Sequence, residues 1–158
     1  MNAKKSLEQI KAYQDNLEKA KKLQLAVGLP KETASSKVYG DGTSVIKVGA
    51  MHEYGAGKIP RRSFLRTPFI MKDKEISNFL LDMFKRVAEK GLDAEKALSI
   101  VGVKAVNISQ GAFTSKGYGT WQALKQSTIN EKGSSQILID TGTLRSSITY
   151  IVRDANAS

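Results

Sequence analysis

The sequence predicts an α+β fold, a small antiparallel or mixed β-sheet packed against a long central helix and additional helices. Three observations carry this. Ile76, Phe79, Leu80, Met83, Phe84 and Val87 stand at helical spacing, the strongest periodic signal in the chain. Three short apolar runs, beginning at Leu23, Ser44 and Ser147, have the alternation of strands. The length of 158 residues, with apolar residues spread throughout, suits a single domain covering 1–158.

Each element follows in order. In 3–22, Leu7, Ile10, Tyr13, Leu17 and Ala20 recur every three or four positions and leave Lys, Glu and Gln opposite, which predicts an amphipathic helix. LQLAVGLP puts Leu23, Leu25, Val27 and Leu29 on one side of a strand that Pro30 ends. The polar stretch 31–43 is a loop whose sharpest turn is Gly40-Asp41-Gly42. SVIKVGAM resumes strand character with Ile46, Val48 and Ala50 on one face, so 23–52 is predicted as a β-hairpin with a long loop. A helix is expected over about 67–90, with Thr67 as cap, Pro68 in its first turn and Gly91 ending it. Asp93 caps a second helix over about 93–110, whose inward stripe is Ala97, Leu98, Val101, Ala105 and Ile108. A loop at 111–120 displays Phe113 and Tyr118. A short helix at 121–132 and a turn precede a closing strand at 147–153, with Ile148, Tyr150 and Val152 on one face.

Composition narrows the function. Lys and Arg number 25 against 15 Asp and Glu, a net charge of +10 that favours anionic partners. The excess is spread along the chain, which argues for a basic surface more than for a dedicated nucleic-acid patch. With no Cys, disulfide scaffolds, cysteine-zinc sites and thiol catalysis are excluded. The single His52 cannot make a multi-histidine metal site, and no cofactor is expected. No apolar run approaches the roughly 20 residues of a membrane span, and the N-terminus lacks the apolar core of a secretory signal.

Two stretches invite catalytic readings. HEYGAGKIPRRSFLR (52–66) holds Gly57-Lys58, but Ile59 follows where a phosphate loop needs Ser or Thr, and His52 stands where it needs Gly. ILIDTG ends in the Asp-Thr-Gly of aspartic proteases, yet only eighteen residues follow Asp140, too few for the flap and sheet such enzymes build afterwards. A turn or cap at Asp140 or Thr141, eased by Gly142, is the simpler reading. Arg61, Arg62 and Arg66, with Lys58, offer phosphate-binding forks, and Phe113, Tyr118 and Trp121 offer stacking faces. No helix-turn-helix, ribonucleoprotein motif or zinc finger accompanies them.

Taken together, HEYGAGKIPRRSFLR (52–66), LKQSTINEKG (124–133) and LIDTGTLRSSITY (138–150) resemble the signatures of the phage virion-morphogenesis family, in order and spacing, over about residues 45–152. The matching positions are His52, Glu53, Tyr54, Gly55, Ile59, Pro60, Arg61, Phe64, Leu65 and Arg66, then Asp140, Thr141, Gly142, Leu144 and Arg145. The Arg-Arg-Ser run departs from the family pattern and leaves the partner of Arg62 open. The resemblance implies a non-enzymatic structural protein of the virion, a tail-completion or neck component at the head–tail junction. It would form a ring of identical subunits, six by family expectation, made in the host cytoplasm. Its neighbours would be the head–tail connector and tail-tube or tail-terminator proteins, with non-specific contact to DNA in the channel and no membrane partner. The alternative is a basic nucleic-acid-binding protein.

Physical reasoning assigns the first signature a bracing role. Gly55 and Gly57 reverse the chain, Pro60 holds it extended, and Phe64 and Leu65 anchor it in the core. Arg61 and Arg66 are expected to tie this corner to Glu53 or Asp140, and both signatures are expected to meet in space. The loops carrying Tyr39, Gly40 and Asp41 and carrying Phe113 and Tyr118 are the expected docking elements.

Overall fold

The computed structural model describes residues 3–133 and 142–156. The fold is α+β, with a two-stranded antiparallel sheet packed against helices. Helix α1 (Ala3–Lys21) leads into β1 (Leu23–Gly28), followed by short α2 (Lys31–Ala34) and α3 (Val45–Tyr54). Then come α4 (Arg66–Met71), α5 (Asp73–Lys90) and α6 (Ala94–Thr114), and finally α7 (Gln126–Lys132), α8 (Thr143–Ser147) and β2 (Thr149–Asp154).

The organising element is α6, which touches α1, α4, α5, α8 and both strands. Its start is fixed by local chemistry: the Asp93 carboxylate accepts from Lys96 N–H at 3.0 Å, the expected cap. Asn16 of α1 reinforces it, donating to Leu92 O and accepting from Ala94 N–H. Gly91 closes α5 in the left-handed conformation, φ +66°. The sheet settles on the middle of α6 at Gly102. A Cβ there would stand 2.5 Å from the Tyr150 ring, so only glycine admits this approach.

The core has two parts strung along α6. Toward its start, Ala94, Ala97 and Val101 pack with Ala20, Met83 and Val87. Toward its end, Ala112 and Phe113 pack with Val45, Phe64, Trp121, Leu144 and Ile148. Helix α1 covers only the first part. Its Leu17 and Ala20 pack inward, but Leu7 and Ile10 of the same stripe remain 67% and 52% exposed.

Several expectations are corrected. The second strand of the predicted hairpin is helix α3. Val45, Gly49 and Glu53 are its buried residues, one helical turn apart, so burial chose the period of 3.6 where the apolar run allowed either. The partner of β1 is β2, in register from Leu23↔Asp154 to Gly28↔Thr149. The 31–43 loop contains α2, and its Val38 bridges to Ser44 just beyond it. The expected 67–90 helix is two, α4 and α5, broken at Lys72, a break that no residue type in the sequence marks. The next helix runs on to Thr114, taking Phe113 out of the predicted loop. The short helix begins at Gln126, and β2 begins at Thr149 because Ser147 belongs to α8.

Candidate functional site

The 52–66 signature folds around one carboxylate. Helix α3 delivers His52, Glu53 and Tyr54 on its last turn, and Gly55, at φ +81°, ends the helix where a side chain would be strained. Ala56 and Ile59 then pair their backbones in both directions, closing a tight reversal. Arg62 N–H donates to His52 O at 2.7 Å, fastening the returning chain to the helix it left.

Residues 63–66 then wrap the Glu53 side chain, which is 4% exposed. Oε1 accepts from Ser63 Oγ at 2.7 Å and from Arg66 N–H at 3.1 Å. Oε2 accepts from Phe64 N–H at 2.8 Å and Leu65 N–H at 3.0 Å. The Arg66 guanidinium adds Nε at 3.3 Å and lies over the Tyr54 ring, 4.5 Å from its centroid. The Ser63 hydroxyl passes the support on, accepting from Thr67 N–H at 2.9 Å. Glu53 thus satisfies the orphan backbone donors that open α4, a capping task done from another helix. Thr67, expected to cap, is itself capped by Ser63.

Burial alone would raise the Glu53 pKa. The donors from Ser63, Leu65, Arg66 and Phe64 outweigh it and hold the carboxyl below its ordinary value. A carboxylate so engaged has no lone pair turned outward for acid–base work.

The corner is fastened to α6 and to the chain after it. Ser109 Oγ donates to Phe64 O at 2.7 Å, and Trp121 Nε1 donates to Ser63 O at 3.1 Å. The Phe64 ring meets Phe113 with centroids 5.5 Å apart, and Phe113 meets Trp121 edge-on at 5.6 Å. From the second signature, Leu144 is buried in the same cluster as Phe64. The two flank Gly49, where a Cβ would lie 3.3 Å from Leu144 and 3.5 Å from Phe64. The backbone carbonyls of Arg145 and Ile148 accept from Gln110 of α6 at 3.2 and 3.5 Å. Gly142, at φ +72°, precedes α8 and accepts from Ser146 N–H through its carbonyl. In their described parts the two signatures therefore share one core. Asp140 and Thr141 lie outside the described residues.

Other positions fall elsewhere. Arg61 is exposed and makes no ion pair with a described residue, so its expected tie to Glu53 is corrected; Arg66 alone takes that place. Phe113 is 2% exposed and serves the core. Tyr118 is half-buried, its hydroxyl donating to Ile108 O at 2.8 Å. Gly40 and Asp41 stay on the surface in a turn where Asp41 accepts from Thr43 N–H, and Tyr39 packs against the core edge. Arg62 is the residue whose partner the signature leaves open. It is 7% exposed, and its guanidinium donates to Gln122 O at 3.5 Å. Its Nε has no hydrogen-bond partner, and burial lowers its pKa from the usual guanidinium value.

The sequence reading missed Ser63 and Ser109. Ser63 stands three residues before Arg66, a position from which a hydroxyl often supports a helix start; nothing local marks Ser109. Among the described residues, no group of three or more His, Asp or Glu is placed to hold a metal ion, and no helix is long and apolar enough to cross a membrane. Comparison of the chain with protein-family models, curated proteins and solved structures finds no match.

Proposed function

We propose that this chain is a structural building block of a tailed-phage virion, a neck or tail-completion subunit that works by assembling into a ring. Its neighbours in that reading are the head–tail connector and tail-tube or tail-terminator proteins. Two kinds of support stand behind it: the three ordered signatures, and the use their residues are put to. The observation that carries it is the Glu53 cluster. Glu53, Ser63 and Arg66 of the first signature are consumed in internal bracing, which suits a part whose value is its shape. Apolar side chains left on the surface, Leu7 and Ile10 on α1 and Ile70 and Met71 on α4, supply material for contacts between copies. Closed rotation of one heterologous contact makes a ring.

The test is native mass spectrometry over rising protein concentration, with electron microscopy of the larger species. A discrete closed oligomer is expected, with the polypeptide present in purified virions. A protein that stays monomeric and binds duplex DNA with a steep salt dependence would instead establish the nucleic-acid reading that its net charge of +10 keeps open.

A further inference from the structure

Beside the Glu53 cluster lies a cavity of about 430 Å³ between the 58–62 return and the 122–128 segment. Lys58, Arg62 and Lys125 bring three cations to it, and among the described residues no acidic side chain lines it. Lys58 and Lys125 are exposed at its mouth, whereas Arg62 is withdrawn to 7% exposure. A guanidinium presents five donors. Among the described residues this one makes a single weak contact, to Gln122 O, Nε is buried without a partner, and no carboxylate pairs with the group. Buried charge of this kind is ordinarily paired, and an unsatisfied buried donor calls for a missing acceptor.

We propose that this cavity is an oxyanion site that takes an Asp or Glu side chain presented by a protein partner. The recess selects the occupant. A carboxylate on a flexible stem reaches a withdrawn guanidinium, while the phosphates of a duplex are held on a broad, stiff surface that Lys58 and Lys125 meet first. Ile59, Pro60 and Leu124 add apolar wall, which suits the methylenes of a glutamate stem. A planar guanidinium pairs a carboxylate bidentately, and the two lysines draw it in at longer range. The choice of a protein partner rests on the assembly reading above; the oxyanion site itself does not.

The experiment uses the full chain labelled with ¹⁵N and follows the Arg62 Nε–Hε resonance at fixed ionic strength. The probes are acetyl-Ala-Glu-Ala-amide, its Gln analogue, inorganic phosphate and a short DNA duplex. Saturable movement with the Glu peptide, absent with the Gln analogue and competed by phosphate, is expected. Lys58→Gln with Lys125→Gln, both surface changes, should weaken it by about tenfold, the loss of roughly one charge-assisted contact. Arg62→Gln, which removes the reporter and is therefore followed by isothermal titration calorimetry, should lose binding of both the Glu peptide and phosphate. No saturable response to any anion would remove the site. Tighter binding of the duplex, lost in the same double variant, would overturn the protein partner in favour of nucleic acid. Either outcome leaves the oligomer measured by native mass spectrometry untouched, so the two proposals fail separately.

Discussion

Replacing Glu53 by Gln tests the bracing role with almost no change of shape. The carboxylate accepts through both oxygens: Phe64 and Leu65 N–H on one, Ser63 Oγ, Arg66 N–H and Arg66 Nε on the other. An amide keeps one oxygen and turns an NH₂ toward the other set. Whichever way it is placed, at least two donors in a site 4% exposed then face a donor. An unsatisfied buried donor costs about 1–3 kcal/mol. Because such neighbours are not additive, about 3 kcal/mol is the working figure. The Arg66 pair is discounted, since its side chain is half exposed. For a chain of this size that lowers Tm by about 6–12 °C. Circular dichroism melts, paired with urea titrations, read it directly.

The same site fixes a pH signature. Glu53 has a folded-state pKa below its ordinary value of 4.5, so the unfolded chain binds the proton first as pH falls. Its stabilisation is complete above that ordinary value and is lost as pH falls through the folded-state value. The gap between wild type and Glu53→Gln should therefore be constant near neutral pH and close in acid. Equal melting of the two proteins at neutral pH, or a gap that stays constant down through the acid range, would refute the capping account.

Other outcomes follow from single contacts. Ser109→Ala removes the donor to the buried Phe64 carbonyl and should cost about 1–2 kcal/mol in urea unfolding, without altering the start of α6. Gly102→Ala gains up to about 1 kcal/mol of helix propensity but drives a methyl toward the Tyr150 ring. The expected net is a loss of about 1–2 kcal/mol, and a stabilised variant would show that the sheet yields easily. Tyr54→Ala removes an exposed ring under Arg66 and should change stability by about 0.5 kcal/mol, separating surface decoration from the buried cluster. Ile10→Glu, on the uncovered end of α1, should leave Tm within about 2 °C of wild type while weakening self-association in native mass spectrometry.

Some of the site is legible in the residues themselves. A tie from Arg61 and Arg66 to Glu53 or Asp140 reads from the charges around a Gly- and Pro-bounded reversal, and the Arg66–Glu53 member of that set is present. Phe64 and Leu65 read as anchors, and Phe64 is wholly buried. What escapes is the third dimension of the same corner. Trp121 reads as a stacking face, whereas its indole N–H is spent on Ser63 O. Phe113 reads as part of a loop, yet it lies in the last turn of α6 between two aromatic rings.

Local rules by themselves determined α1, the amphipathic stripe of α5, the Asp93 cap and the Gly91 stop, because each depends on neighbours within about one helical turn. Tertiary structure decided the rest. An apolar run as short as 44–51 satisfies both periods, and only the core that Val45, Gly49 and Glu53 face selects the helix. The pairing of β1 with β2 joins Leu23 to Asp154 across most of the chain, a contact that no local pattern records. Glu53 became a cap for a helix it does not belong to because packing on α6 brought 63–66 around it, and buried donors must find an acceptor wherever the chain can supply one.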